Sequence, residues 1–165
     1  WWGIRGGDRV EAIDTDVARV GVLVCYDVQF PELARKLTAD GIDLLLVPYN
    51  TNDVYGHQRV RACAAARCIE NHLFTVTAGC VGNLPFVENA DTHYAKSAVL
   101  TPSDMAFARG QIACEAEPNL ETVLAHDLDL QDLRRHRLRG TVHNWKDRRR
   151  DLYRVEWCGD PPWRI

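Results

Sequence analysis

The chain has 165 residues, of which 46% are hydrophobic and 26% are charged, the balance of one ordinary globular domain. Its formal net charge of −3 gives no overall basic field, which argues against a nucleic-acid partner. No stretch approaches the roughly 18 consecutive apolar residues of a membrane span, so no membrane partner is expected. The sequence starts at Trp1 rather than at a methionine, and we expect it to be a piece of a longer protein.

Alternating strands and helices are predicted in the first half of the chain. Residues 10–14 alternate between polar and apolar, and residues 18–25 run apolar, which predicts a hairpin that leads into a buried strand. A helix is predicted over residues 31–39. Residues 42–48 form a run too short and too apolar for a surface helix, and they predict a second buried strand. A helix with apolar residues at four-residue spacing is expected over residues 57–71.

The polar loop after the second buried strand is a candidate wall of a binding pocket. Tyr49, Asn50 and Thr51 stand at the carboxyl end of this strand, where α/β enzymes keep substrate contacts. The alternative is a turn whose Asn and Asp side chains only cap the following helix. The two roles are compatible.

The second half of the chain is predicted to continue the sheet and to end in a helix. The expected strands cover residues 73–78, 110–117 and 121–128, and the expected helix covers residues 130–138. Asp129 is placed to cap this helix and Gly140 to end it.

Six cysteines are spread along the chain without the close paired spacing of a zinc site. They are Cys25, Cys63, Cys68, Cys80, Cys114 and Cys158. We expect no secretory segment ahead of them, and therefore reduced thiols, no disulfide framework, no metal ion and a cytoplasmic location.

Cys25 is the candidate nucleophile. It ends a β-branched apolar run, and a turn and then a helix with Pro31 and Glu32 in its first turn come after it. A thiol in this position lies at the rim of a sheet, where the backbone N–H of Tyr26 could face a developing oxyanion. Two alternatives stay open: Cys25 as a small core residue, and Cys80, which also follows a strand end, as the nucleophile.

The wording around Cys25 resembles one family. Residues 25–32 read CYDVQFPE, which is similar to the Cys-Tyr-Asp-x-x-Phe-Pro-Glu nucleophile segment of the nitrilase-type carbon–nitrogen hydrolases. Residues 77–86 and 144–153 resemble an amidase-like branch in which the hydrolase can be fused behind an acetyltransferase-type domain. Residues 93–104 resemble a strand of the family, with Asp104 where many relatives have a turn glycine; Asp tolerates positive φ nearly as well.

The resemblance implies an α/β fold, the C-terminal part of an α-β-β-α sandwich, over residues 1–140, with subunits that pair as a homodimer. The family's chemistry uses a cysteine nucleophile, a glutamate base and a lysine that stabilises the oxyanion, and requires no metal or organic cofactor. Of these, Cys25 is present, while the glutamate and lysine are expected upstream of Trp1, since Lys36 and Lys96 lie in other segments. The resemblance therefore implies a hydrolase of small-molecule amides, or of nitriles, whose isolated 165-residue piece is inactive and exposes a sheet face.

The helix over residues 57–71 ends in a charged pair, Arg67 and Glu70. In the family, an equivalent helix with the wording Arg-Ala-x-Glu-Asn packs on the sheet beside the active site. We expect both side chains to be structural rather than catalytic.

Residues 141–165 form a basic and aromatic tail. Its arginines could hold an anion or a nucleic acid, but the aromatic–basic mixture is confined to this segment. We therefore predict that Trp145, Tyr153 and Trp157 dock on a partner subunit.

Two further functions remain open. A self-contained Cys–His hydrolase would use His57, His93 or His143 as its base. A non-catalytic subunit or interaction module would keep the fold without the activity.

Overall fold

The structure is a computed structural model that describes residue 3, residues 5–88 and residues 90–156. Its strands are β1 (Ile13–Asp14), β2 (Arg19–Val22), β3 (Leu44–Tyr49), β4 (Phe74–Gly79), β5 (Ala98–Leu100) and β6 (Ile112–Glu115). Its helices are α1 (Pro31–Ala39), α2 (Val54–Asn71) and α3 (Leu130–Arg139), with 3-10 turns at Cys25–Gln29 and Arg109–Gln111. The fold is α/β, as predicted.

One mixed sheet joins the strands of the described residues in the order β1-β2-β3-β4-β5-β6. The three central strands β2, β3 and β4 are parallel, while β1, β5 and β6 pair antiparallel with their neighbours. Val22 is paired with Leu46, and Tyr49 with Gly79. The carboxyl ends of the parallel strands therefore lie at one edge of the sheet, where α/β folds carry their ligand sites.

The core lies between the sheet and helices α1 and α2. Leu45 and Val47 of β3 point to this side and pack with Leu37 of α1 and Val60 of α2, all of them fully or almost fully buried. Because side chains alternate along a strand, Leu44 and Leu46 point to the other face, where they are only half-buried. This second face is apolar and partly exposed.

The helix ends follow local capping signals. Helix α1 has the predicted bounds. Helix α2 begins at Val54, earlier than predicted, because Asp53 caps it by accepting the Gly56 N–H at 2.7 Å. In α3, Asp129 accepts the Asp132 N–H at 2.8 Å, which confirms its predicted role as the cap.

In the second half of the chain, one predicted strand is absent and another is shorter than expected. Residues 121–128 form no strand; their side chains are mostly exposed, and among the described strands β6 pairs only with β5. The strand expected within residues 93–104 is confined to β5. Asp104 does not adopt positive φ; its carboxylate instead accepts the backbone N–H groups of Met105 at 2.7 Å and Thr141 at 2.8 Å.

Two arginines of helix α3 bind the buried Asp43 carboxylate and nearby backbone carbonyls, which fixes the helix to the amino ends of β3 and β4. Asp43 accepts hydrogen bonds from Arg137 at 2.7 Å and from Arg134 at 2.5 Å. Arg137 also donates to the backbone carbonyls of His72 and Ile42, each at 2.8 Å. These contacts lie at the sheet edge opposite to the one that carries Cys25.

The described part of the tail returns to the body of the same chain. The guanidinium of Arg148 lies 3.6 Å from the centre of the Trp145 ring, and that of Arg35, in α1, lies 5.4 Å from it. Trp157 and Cys158 lie outside the described residues, and docking of the tail on a partner subunit stays a prediction. No helix in the described ranges is both long enough and apolar enough to span a membrane.

Candidate active site

Cys25 is held in a strained turn at the carboxyl end of β2. It is the first residue of the 3-10 turn and has a φ of +50°, in the left-handed region that residues other than glycine rarely adopt. The side chain is half-buried. Strain of this kind costs about 1–3 kcal/mol and persists only where the surroundings fix it, often at functional sites.

Local hydrogen bonds fix the start of this turn. The Asp27 carboxylate accepts the Val24 N–H at 3.1 Å, and the Asp27 N–H donates to the Val24 carbonyl at 3.0 Å. Pro31 then opens α1 at a position where a missing N–H costs nothing. The sequence CYDVQFPE thus encodes a turn followed at once by a helix.

The backbone N–H of Tyr26 lies ahead of the first donor within the turn, which is the N–H of Asp27. The N–H groups at the start of a helical turn have no intrahelical acceptor and favour negative charge. The Tyr26 side chain is exposed and contacts the Phe30 ring edge to face, at a centroid distance of 5.0 Å.

The loop after β3 is the immediate neighbour of the thiol. Cys25 Sγ lies 3.6 Å from the backbone carbonyl oxygen of Asn50, within hydrogen-bonding range for sulfur. The loop is fixed by Thr51, which is buried and bonded twice to Tyr94: its hydroxyl donates to the Tyr94 carbonyl, and its carbonyl accepts the Tyr94 N–H, both at 2.7 Å. The structure thus brings Cys25 and Asn50 together at the ends of the parallel strands.

Tyr49 directly precedes this loop, and its side chain is anchored in the protein interior. Its buried hydroxyl lies 3.1 Å from His57 Nδ1 and 3.1 Å from both the backbone N and O of Lys96. Burial raises the pKa of Tyr49 and lowers the pKa of His57, so both side chains are neutral near pH 7. The sequence predicted Tyr49 as pocket wall, and the structure shows its hydroxyl committed to the protein interior.

A charged group adjoins this pair. Glu115 accepts hydrogen bonds from Lys96 at 2.5 Å and from Arg61 at 3.1 Å. Burial works to raise the pKa of Glu115, but the bonds from these two cations outweigh it and lower the pKa. Lys96 is therefore engaged in an ion pair.

The alternative catalytic residues are placed differently. Cys80 is exposed just past β4, and its N–H donates to the Tyr49 carbonyl at 3.0 Å. His93 Nδ1 is hydrogen-bonded to the carbonyl of Gly82, and His143 Nε2 to that of Leu138, so within the described residues both rings bond to backbone groups rather than to the Cys25 thiol. Cys68 is fully buried in the core, and this burial raises the pKa of its thiol to about 12.

One contact with the Cys25 turn was missed by sequence reasoning. The buried side chain of Arg67, in α2, donates to the carbonyls of Val28 at 2.9 Å and Gln29 at 3.1 Å. The sequence signal available was an arginine three residues before Glu70 on an otherwise alanine-rich helix, which indicates a buried pair but not what it holds.

The mixed sheet and its helices match the fold of a solved structure from the nitrilase superfamily. The chain belongs to the carbon–nitrogen hydrolase family, whose family model matches residues 3–138. It is 48% identical over 157 residues to the probable hydrolase YhcX of Bacillus subtilis (strain 168), covering 95% of this chain and 31% of that protein. It is 32% identical over 152 residues to the omega-amidase NIT2-A of Xenopus laevis, covering 91% of this chain and 50% of that protein.

Solved structures agree on the fold. Nit3 of Saccharomyces cerevisiae, a member of branch 10 of the nitrilase superfamily, matches with a TM-score of 0.68 at 28% identity, over 81% of this chain and 46% of that one. A mutant amidase from Nesterenkonia sp. AN1 matches with a TM-score of 0.61 at 25% identity, over 90% of this chain and 48% of that one. That structure shows covalent addition of the acetamide moiety of fluoroacetamide at its active site cysteine. The chain spans about a third to half the length of the relatives that it matches.

Proposed function

We propose that this chain carries the nucleophile of an amidase that cleaves small-molecule amides through a thioester on Cys25. The observation that carries the proposal is the left-handed conformation of Cys25 at the end of a parallel strand, with its thiol half-buried beside the Asn50 carbonyl. A cysteine that is merely a core residue has no need of a strained backbone. Two comparisons support the choice: omega-amidases among the relatives and an acetamide adduct on the cysteine of one structural neighbour.

The proposed reaction has two halves. In the first, a base removes the Cys25 proton and Sγ attacks the amide carbon, forming a C–S bond and an oxyanion that accepts a hydrogen bond from the Tyr26 N–H. The C–N bond then breaks, and the nitrogen leaves as ammonia or an amine after gaining a proton. In the second half, water attacks the thioester, releases the carboxylic acid and restores the thiol.

The proton transfers need groups other than those around the thiol. The hydrogen bond of Cys25 Sγ that the structure shows goes to a carbonyl oxygen, which does not act as a base at neutral pH. The resemblance assigns this work to a glutamate and a lysine upstream of Trp1. Lys96, paired with Glu115, is not a substitute.

We place the protein in the cytoplasm as a homodimer whose substrate is an amide rather than a nitrile. Amides are favoured because the relatives with named activities are amidases. The described cysteines are free thiols, which suits a reducing compartment. A fused acetyltransferase-like domain in the full protein, and the absence of nucleic-acid and membrane partners, belong to the same proposal.

The test measures ammonia release by the full-length protein from acetamide, propionamide, succinamate and glutaramate. Cys25→Ala is expected to abolish release, and Cys80→Ala, the matched change at the other strand end, to retain it. Hydroxylamine added during turnover should give the hydroxamate of the acyl group, as expected for a thioester. Release that survives Cys25→Ala contradicts the mechanism, and a protein that hydrolyses no amide or nitrile while folded is a non-catalytic module.

A further inference from the structure

The 3-10 turn that begins at Cys25 ends in two backbone carbonyls, those of Val28 and Gln29, that a single turn leaves without intrahelical donors. Both accept hydrogen bonds from one side chain that is 38 and 39 residues further along the chain. Arg67 donates from Nε to the Val28 oxygen at 2.9 Å and from Nη2 to the Gln29 oxygen at 3.1 Å. At the far end of the turn, α2 therefore adds two hydrogen bonds to the local one from the Phe30 N–H to the Asp27 carbonyl.

Arg67 is itself held in a single arrangement. Its third nitrogen, Nη1, donates to the Glu70 carboxylate at 2.7 Å, and its side chain is only 6% exposed. The backbone carbonyl of Glu70 accepts a further hydrogen bond from Arg35 of α1 at 2.8 Å. Since every guanidinium nitrogen is bonded to the protein, Arg67 is placed to hold the turn and not to contact a substrate.

We infer that Arg67 is a positioning residue, which keeps Cys25 in its left-handed conformation by holding the end of the turn that Cys25 begins. This inference rests on the proposed function. A residue at a φ of +50° relaxes unless its surroundings fix it, and the two ends of the turn are fixed by different means. Asp27 holds the start through the Val24 N–H, and Arg67 holds the end. Release of the end turns the thiol and the Tyr26 N–H away from their common edge.

The chain contains a matched control. Arg137 makes the same set of three hydrogen bonds as Arg67: two to backbone carbonyls, those of His72 and Ile42, and one to a carboxylate, that of Asp43. These bonds lie at the opposite end of β3, away from the Cys25 turn. A loss of this second cluster should destabilise the fold in a comparable way without moving the nucleophile.

The experiment compares Arg67→Met, Arg67→Lys and Arg137→Met in the full-length protein. Steady-state ammonia release from the best of the four amides gives kcat and KM, thermal unfolding gives the stability, and peptide mass spectrometry follows alkylation of Cys25 by iodoacetamide. Assays are run well below the unfolding temperature of each variant.

For Arg67→Met we expect kcat to fall about 10²-fold, the usual cost of a misplacement near 1 Å, with KM changed little. Alkylation of Cys25 should persist, because it needs the thiolate, which displaces iodide, but no oxyanion donor. Arg67→Lys should recover part of kcat, since an ammonium can still hold one carbonyl, whereas Arg137→Met should lower the unfolding temperature and keep kcat.

Three results would overturn the inference. The first is a wild-type kcat in Arg67→Met, and the second is an equal loss of kcat in Arg137→Met. The third applies if Arg67→Met does not fold: it is a folded Arg67→Lys variant with an unchanged kcat. None of them is confused with failure of the proposed function, which shows itself as activity that survives Cys25→Ala.

Discussion

Gly79 is the position at which one added methyl group should disturb both the stability and the site. A Cβ atom built there would lie 2.5 Å from Cζ and 2.7 Å from the hydroxyl oxygen of Tyr49, and it would also overlap the Cβ of Ala95. Carbon atoms in contact normally stay about 3.5–4.0 Å apart, so the overlap is about 1 Å or more. Neither neighbour has an easy way to move, because Ala95 has no rotamer and the Tyr49 hydroxyl is bonded to His57 and Lys96.

We therefore expect Gly79→Ala to lower the free energy of unfolding by about 3 kcal/mol, the upper end of the cost of overpacking. If Tyr49 yields, the adjoining Asn50 carbonyl moves relative to Cys25, and amide hydrolysis should fall as well. Gly21→Ala is the control: its Cβ would meet only the ends of two flexible side chains, Leu37 at 2.9 Å and Ile42 at 3.0 Å, so a small shift relieves the overlap at a cost of about 1 kcal/mol.

The measurement is urea unfolding, combined with a double-mutant cycle that moves the methyl group across the contact. Ala95→Gly removes the atom nearest to the new Cβ, so Gly79→Ala/Ala95→Gly should be more stable than the sum of the single changes by about 1–2 kcal/mol. An additive pair, or a cost below about 0.5 kcal/mol for Gly79→Ala, contradicts the reasoning.

Three further predictions concern charge and exposure. Asp43→Ala should destabilise the fold by about 3 kcal/mol, because it leaves Arg137 without its carboxylate. Asp132→Ala, which removes a partly exposed carboxylate of α3, should cost less than about 1 kcal/mol, and urea unfolding of both variants tests this. Burial lowers the pKa of His72 and His57 below their usual value near 6.5, so the unfolded chain binds more protons in acid than the folded chain does. The free energy of unfolding should therefore fall as pH drops below about 6.5. His72→Asn should weaken this pH dependence when unfolding is measured at several pH values, and an unchanged slope of the free energy against pH contradicts the prediction. The 165-residue chain by itself should bind the dye ANS, because the second face of its sheet is apolar and partly exposed. It should release no more ammonia than its Cys25→Ala variant, and turnover by this chain alone would refute the need for further catalytic groups.

The sequence predicted elements whose signals are local. Pro31 opens α1 and Asp129 caps α3, and each signal lies within a turn of the helix end that it sets. The residues on either side of Cys25 likewise predicted its position at a strand end. The strand expected over residues 121–128 shows the limit of local signals. Its apolar pattern is compatible with a strand, but a strand forms only where its backbone can pair with a neighbouring strand.

The contacts that shape the site were not predictable, because they join distant parts of the chain. Arg67 and Val28 are 39 residues apart, and the Tyr49 hydroxyl meets the backbone of Lys96 from 47 residues away. Sequence spacing does not report which surfaces the sheet brings together. Sequence reasoning therefore identified Cys25 as a candidate nucleophile but assigned none of the contacts that hold it in place.

Orientation and activation of the thiol are separate tasks in this structure. The turn, Arg67 and the loop at Asn50 fix where Cys25 lies, and all three depend on backbone carbonyls and N–H groups. A carbonyl beside a thiol orients it but does not remove its proton, so the described surroundings prepare the geometry of attack without supplying the base. Alkylation by a neutral reagent needs only an accessible thiolate, which exchange with solvent can generate, whereas amide hydrolysis also needs an oxyanion donor and a proton for the leaving nitrogen. The two reactions should therefore respond differently to changes in the same turn.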